Sequence, residues 1–356
     1  MHVGNKNKNC CPVLKIKDCN MKTAASETYL GDVLTTDTKI NTNIQARCDK
    51  GYGIINQIIS MLQEISFGYY YFEIAMMFRN SMFLNGFLCS SEALYGITNE
   101  HIEMLEKCDR SFMRRVFDCP VSTPIESYNL ETSTLPVRFI IMGRRLMYLW
   151  SILHKSDNEL VKKVYKTQKE FPVKNDWVLQ VQDDLSKCKI ELSDEEIASM
   201  NKEKFRKIVN SAIKELSEEY LSNLVEKHSK TEKLVPSDKM QNYLTNDDTT
   251  VNEKKLLFSL RSRMYPVKMN YRNGHSNLLC SLCSKEEENQ QHLLVCEKIV
   301  EEEKLRNVIM KNKIYYEDIF GSPKKQTEAV KIWKIIDEIW KRKLKATLDP
   351  SLRMHP

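Results

Sequence analysis

Apolar residues recur at helical spacing through most of this chain. Ile40, Ile44, Cys48, Ile54, Ile55, Ile58, Ile59 and Leu62 make a broad apolar face after a Thr35-Thr36-Asp37 cap, with a break expected at Gly51 and Gly53. A second helix, about Tyr70 to Leu94, is apolar nearly all round, which places it in a core. A third starts at Thr98-Asn99-Glu100. Ile102, Leu105, Cys108, Phe112, Val116 and Phe117 line one side of it, Arg110, Arg114 and Arg115 another, and Pro120 and Pro124 stop it. Leu135-Pro136-Val137 opens a fourth that runs through Arg144-Arg145 to Ile152. Residues 155–200 are charged and irregular, with a capping-box-like start at Ser193-Asp194-Glu195-Glu196. Phe205, Ile208, Val209, Ala212, Leu216, Tyr220 and Leu224 form the next stripe, and Trp333, Ile336, Ile339 and Trp340 the last. Only near the N-terminus does the pattern turn to alternation and β-branching. There Pro12–Ile16 and Thr28–Leu34 read as the two strands of one small hairpin. The fold class is therefore mainly α with a small N-terminal β-hairpin.

Composition sharpens this in three ways. Ten glycines and ten prolines in 356 residues, beside abundant Lys, Glu, Leu, Ile and Met, suit long helices, and the length suits two or three domains. A net charge of +6 is mild, so any polyanion binding must come from local clusters. Of the eleven cysteines, Cys10, Cys11, Cys19, Cys48, Cys89, Cys108, Cys119 and Cys188 show no framework spacing. With no signal peptide, a reducing compartment is expected: an intracellular protein of the cytoplasm or the nucleus. The most apolar stretch, Phe67 to Leu88, is interrupted by Glu73, Arg79, Asn80 and Asn85, so no membrane partner is expected.

The remaining three cysteines carry the clearest chemistry. Cys280-x2-Cys283-x8-His292-x3-Cys296 offers three thiolates and an imidazole in a short span, the ligand types that zinc takes tetrahedrally. A Cys-x2-Cys pair alone would also fit a redox motif; the added His and Cys point to a structural Zn2+. His292 and Cys296 lie one helical turn apart and would face the same way, and His275 is the alternative imidazole. Just upstream, Lys254, Lys255, Arg261, Arg263, Lys268 and Arg272 run without an intervening acid, with Tyr265 and Tyr271 interleaved. Arg261, Arg263, Lys268, Tyr271 and Arg272 are the candidate RNA- or DNA-binding residues, the cations for phosphates and the tyrosine for stacking. The bland reading of such a run is a solvated face.

Several short motifs recur in a telling order. They are Met1-His2-Val3-Gly4, Tyr29-Leu30-Gly31-Asp32, Arg47-x2-Lys50-Gly51, Arg79-x-Ser81-Met82, Asn85-Gly86 and Leu105-x3-Asp109-Arg110. Thr123-Pro124-Ile125-Glu126, Leu135-Pro136-Val137, Arg144-Arg145-x2-Tyr148, Asp176-Trp177, His228-Ser229-Lys230 and Arg261-x-Arg263-Met264 follow, and the Cys-Cys-His-Cys set closes the series. In this order the chain resembles the C-terminal part of reverse transcriptases of non-LTR (LINE-type) retrotransposons, over almost its whole length. The resemblance implies the end of a palm in 1–36, with Tyr29, Leu30 and Gly31 in a primer-grip-like hairpin. It implies a thumb-like helical bundle in 37–152, a helical connector in 153–253, a basic segment plus a zinc-knuckle-like CCHC module in 254–300, and a helical tail in 301–356. The fingers and the catalytic Asp-Asp palm would lie before Met1, in an N-terminal polymerase region that a full-length element would carry. Thr38, Leu94 and Ser133 stand where the family usually has Gly, Trp and Gly, which suggests a divergent copy.

Two-metal nucleotide transfer needs converging carboxylates. The Asp-Asp pairs here, Asp183-Asp184 and Asp247-Asp248, lack apolar strand flanks and read as surface residues. The expected function is that of a nucleic-acid-binding reverse-transcriptase fragment without polymerase activity, with template–primer or element RNA as partner. The alternatives are a helical protein whose zinc turn braces protein–protein contacts, and an inactive transposon relic. Arg144-Arg145 either tracks a nucleic-acid backbone or solvates a helix face.

Overall fold

The computed structural model of the chain describes residues 15–16, 19–20, 26–29, 32–35, 40–64, 70–302, 305 and 315–348. Helices dominate it. In order they are α1 (Asn41–Glu64), α2 (Tyr71–Phe78), a π-helical turn (Arg79–Phe83), α3 (Leu84–Phe87), α4 (Asn99–Phe117), α5 (Ile125–Thr132) and α6 (Val137–Leu153). Then come α7 (Leu160–Glu170), α8 (Trp177–Lys187), α9 (Asp194–Ser199), α10 (Lys202–Lys227), α11 (Asn242–Thr245), α12 (Val251–Arg261), α13 (Gln290–Val295), α14 (Glu297–Val300) and a C-terminal helix, Pro323–Leu348. Helix starts follow local chemistry. Ser193 with Glu196 and Thr250 with Glu253 close reciprocal capping boxes on α9 and α12. Pro124 and Pro136 stand just before α5 and α6, where a missing N–H costs nothing.

Three expectations need correcting. Among the described residues no pairing joins the 12–16 segment to the 28–34 segment as one hairpin. Among the described residues the only sheets are two local antiparallel pairs, Lys15–Ile16 with Cys19–Asn20 and Ser26–Tyr29 with Asp32–Thr35. Both pairings are local in sequence, and pairing near neighbours costs less chain entropy than pairing across a longer loop. Leu30 and Gly31, and with them the Met1–Gly4 motif and Thr38, lie outside the described residues.

The break at Gly51 and Gly53 is also absent. Gly51 is a contact point instead: a Cβ there would sit 2.7 Å from Cys108 Sγ and 2.9 Å from a Phe87 ring carbon. The third correction is the helix expected from Tyr70 to Leu94, which is interrupted by the π-helical turn beginning at Arg79. Such insertions re-aim the side chains around them.

The chain divides into two compact units. The first comprises Met1–Ile58, Phe78–Phe112 and Leu135–Glu219. Its core stacks Phe83 on Phe87 and on Phe112, at centroid distances of 4.9 and 5.5 Å, among Ile44, Ile55, Leu105, Ile141, Leu149 and Phe205. Charges run through this core in matched pairs. Arg79, 1% exposed, donates from Nε and Nη2 to the two Asp109 oxygens at 2.8 and 2.7 Å, and from Nη2 to the Leu135 carbonyl at 3.2 Å. That joins three of the motif segments. Arg138 forks onto buried Glu106 at 2.7 and 2.8 Å. Arg145 reaches Asp184 at 2.9 Å and donates to Gln180 Oε1 at 2.8 Å, while Arg144 donates to the Leu88 carbonyl and to Asn85 Oδ1. Arg144-Arg145 thus neither solvates a face nor stands open to a phosphate.

The second unit comprises Ile59–Met77, Met113–Thr134 and Tyr220–Pro356. Phe72, Phe117, Phe258 and Tyr128 form its aromatic centre, with successive centroids 4.8, 4.1 and 5.4 Å apart. The C-terminal helix packs on α12, and Tyr265 lies between Trp333 and Trp340 while donating its hydroxyl to Asp337. Fully buried Glu126 accepts from Thr231 Oγ1 and contacts His228 Nδ1. The α5 helix ends on Ser133 at φ +53°, left-handed backbone where a glycine would be unstrained.

Candidate metal centre and the adjoining cleft

The four metal candidates converge in the second unit. Leu279 bridges Glu287, and Cys280 N–H donates to the Glu286 carbonyl at 2.7 Å, folding 279–287 into a tight loop. Inside it Ser284 turns at φ +56° and donates its N–H to the Cys280 carbonyl, so Cys280 and Cys283 flank one turn. Asn289 then caps α13, its Oδ1 accepting from His292 N–H at 2.7 Å, and Cys296 N–H closes on the His292 carbonyl at 2.7 Å. The ligand atoms of Cys280, Cys283, His292 and Cys296 all lie within 4.8 Å of one another. Cys280 Sγ and Cys296 Sγ are 3.9 Å apart, and Cys283 Sγ is 3.3 Å from His292 Nε2. A tetrahedral zinc site with Zn–S near 2.3 Å has S···S edges of about 3.8 Å. The donor set and spacing therefore fit a bound metal ion, and this cluster could hold one. Free cysteines alone would account for neither the imidazole nor the convergence.

The electrostatics agree. The thiol of Cys296 hydrogen-bonds to Cys280, holding Cys280 well below the usual thiol range and pushing Cys296 up, so one of the pair is readily a thiolate. His292 Nδ1 lies 3.0 Å from Glu286 Oε2. That carboxylate fixes the proton on Nδ1 and leaves Nε2 as the ligand atom. Nothing in the sequence distinguishes Glu286 and Glu288 from their acidic neighbour Glu287. Glu288 is buried and does more: it accepts from Ser281 N–H at 2.7 Å and from Lys268 N–H at 3.2 Å, tying the cysteine turn to the basic segment. His275 is exposed and is not part of the cluster.

The basic run does not form the single exposed face expected of it. Arg261 is buried, donating to Glu131 Oε1 at 2.9 Å and to the Ile319 carbonyl at 2.7 Å, with its guanidinium 5.0 Å from the Phe320 ring. Glu131 is so deeply buried that its carboxyl is raised, and Arg261 is the cation that offsets this. Arg261 is therefore a framework residue rather than a phosphate contact. Lys254 is buried as well. Lys268 spends its ammonium on the Leu279 carbonyl at 2.6 Å. Arg263, held at φ +51°, pairs with Glu232 at 2.6 Å. Tyr271 donates its hydroxyl to the Met264 carbonyl at 2.8 Å. Arg272 is exposed and has no partner among the described residues.

Beside these residues opens a cleft of about 760 Å³, whose lining includes Arg263, Asn270, Tyr271, Arg272, Gln291 and Lys230. Lys230 was not singled out as a binding residue. It arrives from the loop after α10, its ammonium 5.1 Å from the Tyr271 ring centroid. Burial pushes its pKa down, and no carboxylate among the described residues pairs with it.

Two Asp-Asp pairs were expected at the surface. Asp247 and Asp248 are exposed in a loop. Asp183 is exposed beside Lys187, but Asp184 is buried against Arg145, which corrects the surface reading for that residue. The two carboxylates of the 183–184 pair diverge, one to solvent and one to the core.

No family model matches the chain, and neither a curated protein nor a solved structure matches it. Among the described residues no helix is long and apolar enough to cross a membrane.

Proposed function

We propose that this chain binds nucleic acid through a zinc-stapled basic module, as the C-terminal part of a non-LTR reverse transcriptase would, and does not itself polymerise. The observation that carries the reading is the link between metal cluster and cations. Glu288 and Lys268 join the cysteine turn to the segment that bears Tyr271 and Arg272. Zn2+, held by Cys280, Cys283, His292 and Cys296, would supply local folding energy rather than reaction chemistry. The partner is RNA or DNA in a reducing compartment, cytoplasm or nucleus, a setting in which the thiols of the metal cluster stay available as ligands.

A second reading has its own support. Arg261, Arg263 and Lys268 are engaged within the chain, and exposed Leu279 and Val295 lie beside the metal ligands. A helical protein using the zinc turn to brace a protein contact would look like this. The test is RNA binding by the full chain, measured with zinc and after chelation at several salt concentrations. The nucleic-acid reading expects affinity to fall on chelation and with rising salt. Affinity indifferent to both would abandon it for the protein-contact reading.

A further inference from the structure

We propose that the cleft beside the metal cluster is a site for an unpaired nucleotide of a single-stranded nucleic acid, with Lys230 and Arg272 as its phosphate contacts. The inference rests on the nucleic-acid reading above and narrows it to particular residues. It also redraws the binding surface, keeping Arg272, Arg263 and Tyr271 of the basic run, adding Lys230 from another part of the chain and leaving out Arg261.

Three observations converge on the cleft. First, its charge is uncompensated. Lys230 is half-buried with no carboxylate beside it, and Arg272 has no partner among the described residues. Buried Arg79, Arg145 and Arg261 each meet a carboxylate, whereas half-buried Lys230 has none and shares its concave wall with exposed, unmatched Arg272. Arg263 adds a third, held by Glu232, a half-exposed acid that an incoming phosphate can displace. Second, the wall has an aromatic face. Tyr271 is fixed at its hydroxyl by Met264 and at its ring by Lys230, a ready platform for a base. Third, the remaining lining is rich in amides. Asn273 and Gln291 are exposed, and neither spends its side chain within the protein. Amides match the donor and acceptor edges of a base and have no special use for an acidic peptide. A paired base would keep those edges and its faces inside the duplex. The volume, about 760 Å³, is in the range of small-ligand sites.

The metal cluster sets the shape of this wall. Gln291 sits one residue before His292 on α13, and the 269–274 wall is anchored to the cysteine turn by Met269 N–H on the Glu288 carbonyl at 3.0 Å.

The test uses the full-length, zinc-loaded chain and a short labelled oligouridylate followed by fluorescence anisotropy. The variants are Lys230→Glu with Arg272→Glu, and Lys331→Glu on the exposed side of the C-terminal helix as a charge control. With three phosphate contacts, wild-type binding falls with salt at a log–log slope of about −2. The double variant is expected to weaken binding by at least roughly tenfold at low salt and to flatten the slope by about 1.4 units, with the control near wild type. An iodouridine-substituted strand, photocrosslinked to wild type, is expected to mark the peptide carrying Tyr271. This readout does not depend on the variants folding. Wild type that binds while the double variant binds equally, or crosslinks that fall elsewhere, overturns the cleft and leaves the nucleic-acid reading standing. Equal displacement by polyglutamate, or equal binding of a duplex, overturns the assignment to an unpaired nucleotide. No binding by wild type at any salt overturns the parent reading itself.

Discussion

The arginines of the two units are used differently, and the contrast separates framework from site. In the first unit Arg79, Arg138 and Arg145 each meet a buried carboxylate, and in two of the three the fork is bidentate. A buried charge without a partner is expensive, so these pairs fix how helices meet rather than await a ligand. In the second unit Arg261 behaves the same way with Glu131. A few residues on, Arg272 and the incoming Lys230 are left unmatched around a cleft. A buried matched charge in this protein marks architecture; what sets Lys230 and Arg272 apart is that they stand unmatched together around one cleft.

Metal removal should break the contrast most visibly. The segment from Leu278 to Val295 has few large apolar side chains and one short helix, too little to hold a unique structure unaided. Structural zinc contributes on the order of 10 kcal/mol in comparable modules. Chelation, or Cys283→Ser, is expected to make 269–297 the first region cut in limited proteolysis, while the ion-paired first unit keeps its resistance. Simultaneous loss of both would mean that the metal is not a local staple.

The reverse experiment removes a matched charge. Arg79→Met leaves the Asp109 carboxylate buried alone and frees the Leu135 carbonyl, a loss of about 3–5 kcal/mol in denaturant unfolding. Zinc stoichiometry should be unchanged. Arg261→Met should cost a similar amount through Glu131, whereas Arg272→Ala should change stability by less than about 0.5 kcal/mol. An Arg261→Met protein of normal stability but weak RNA binding would restore Arg261 to the binding surface.

How far the sequence carried is clear from these same residues. The helical stripes marked α1, α4, α6, α10 and the C-terminal helix because burial on one face leaves a 3.6-residue signature. The metal ligands were legible because coordination demands fixed residue types at short spacing. Pair partners were not. Asp184 looked like a surface acid because its sequence neighbours are polar, and only the fold brings Arg145 to it. Arg261 sat in a basic run whose linear order says nothing about Glu131, 130 positions away. Lys230 stood in the His228-Ser229-Lys230 motif, but nothing in that motif places it against Tyr271, since a cleft is a property of chain crossing. Nor does any periodicity announce the extra residue of the π-helical turn at Arg79.

A pH measurement tests the matched pairs more finely. Burial raises the Asp184 carboxyl to about 6, against the opposing pull of Arg145. The folded state therefore holds this proton more tightly than the unfolded chain, where the value is about 3.9. The contribution favours folding fully below about pH 4 and is lost as pH rises through about 6, on the order of 3 kcal/mol. Asp184→Asn should be less stable at neutral pH, because Arg145 loses its counter-charge. It should also lack this part of the stability change between pH 4 and 6. An unaltered slope across that window would show that the pair stays ionised and that Arg145 outweighs burial.

The smallest effect is expected at the turn beside the Arg261–Glu131 pair. Glu131 lies two residues before Ser133, which closes α5 in left-handed backbone at φ +53°. A side chain there costs about 1 kcal/mol relative to glycine. Ser133 recovers part of this by donating Oγ to the Ser237 carbonyl at 2.7 Å, but that bond is exposed and worth little net. Ser133→Gly should therefore raise stability by roughly 0.5–1 kcal/mol, read as a shift in the denaturant midpoint with the m-value unchanged. Its consequence for the comparison is specific. If Glu131 and Arg261 belong to the framework, relaxing the turn beside them should tighten folding and leave oligonucleotide affinity and its salt slope untouched. A Ser133→Gly protein that is more stable yet binds RNA with a steeper salt slope would mean that Arg261 is released toward the ligand when α5 relaxes, and that the boundary between matched and unmatched charge in this unit is not fixed.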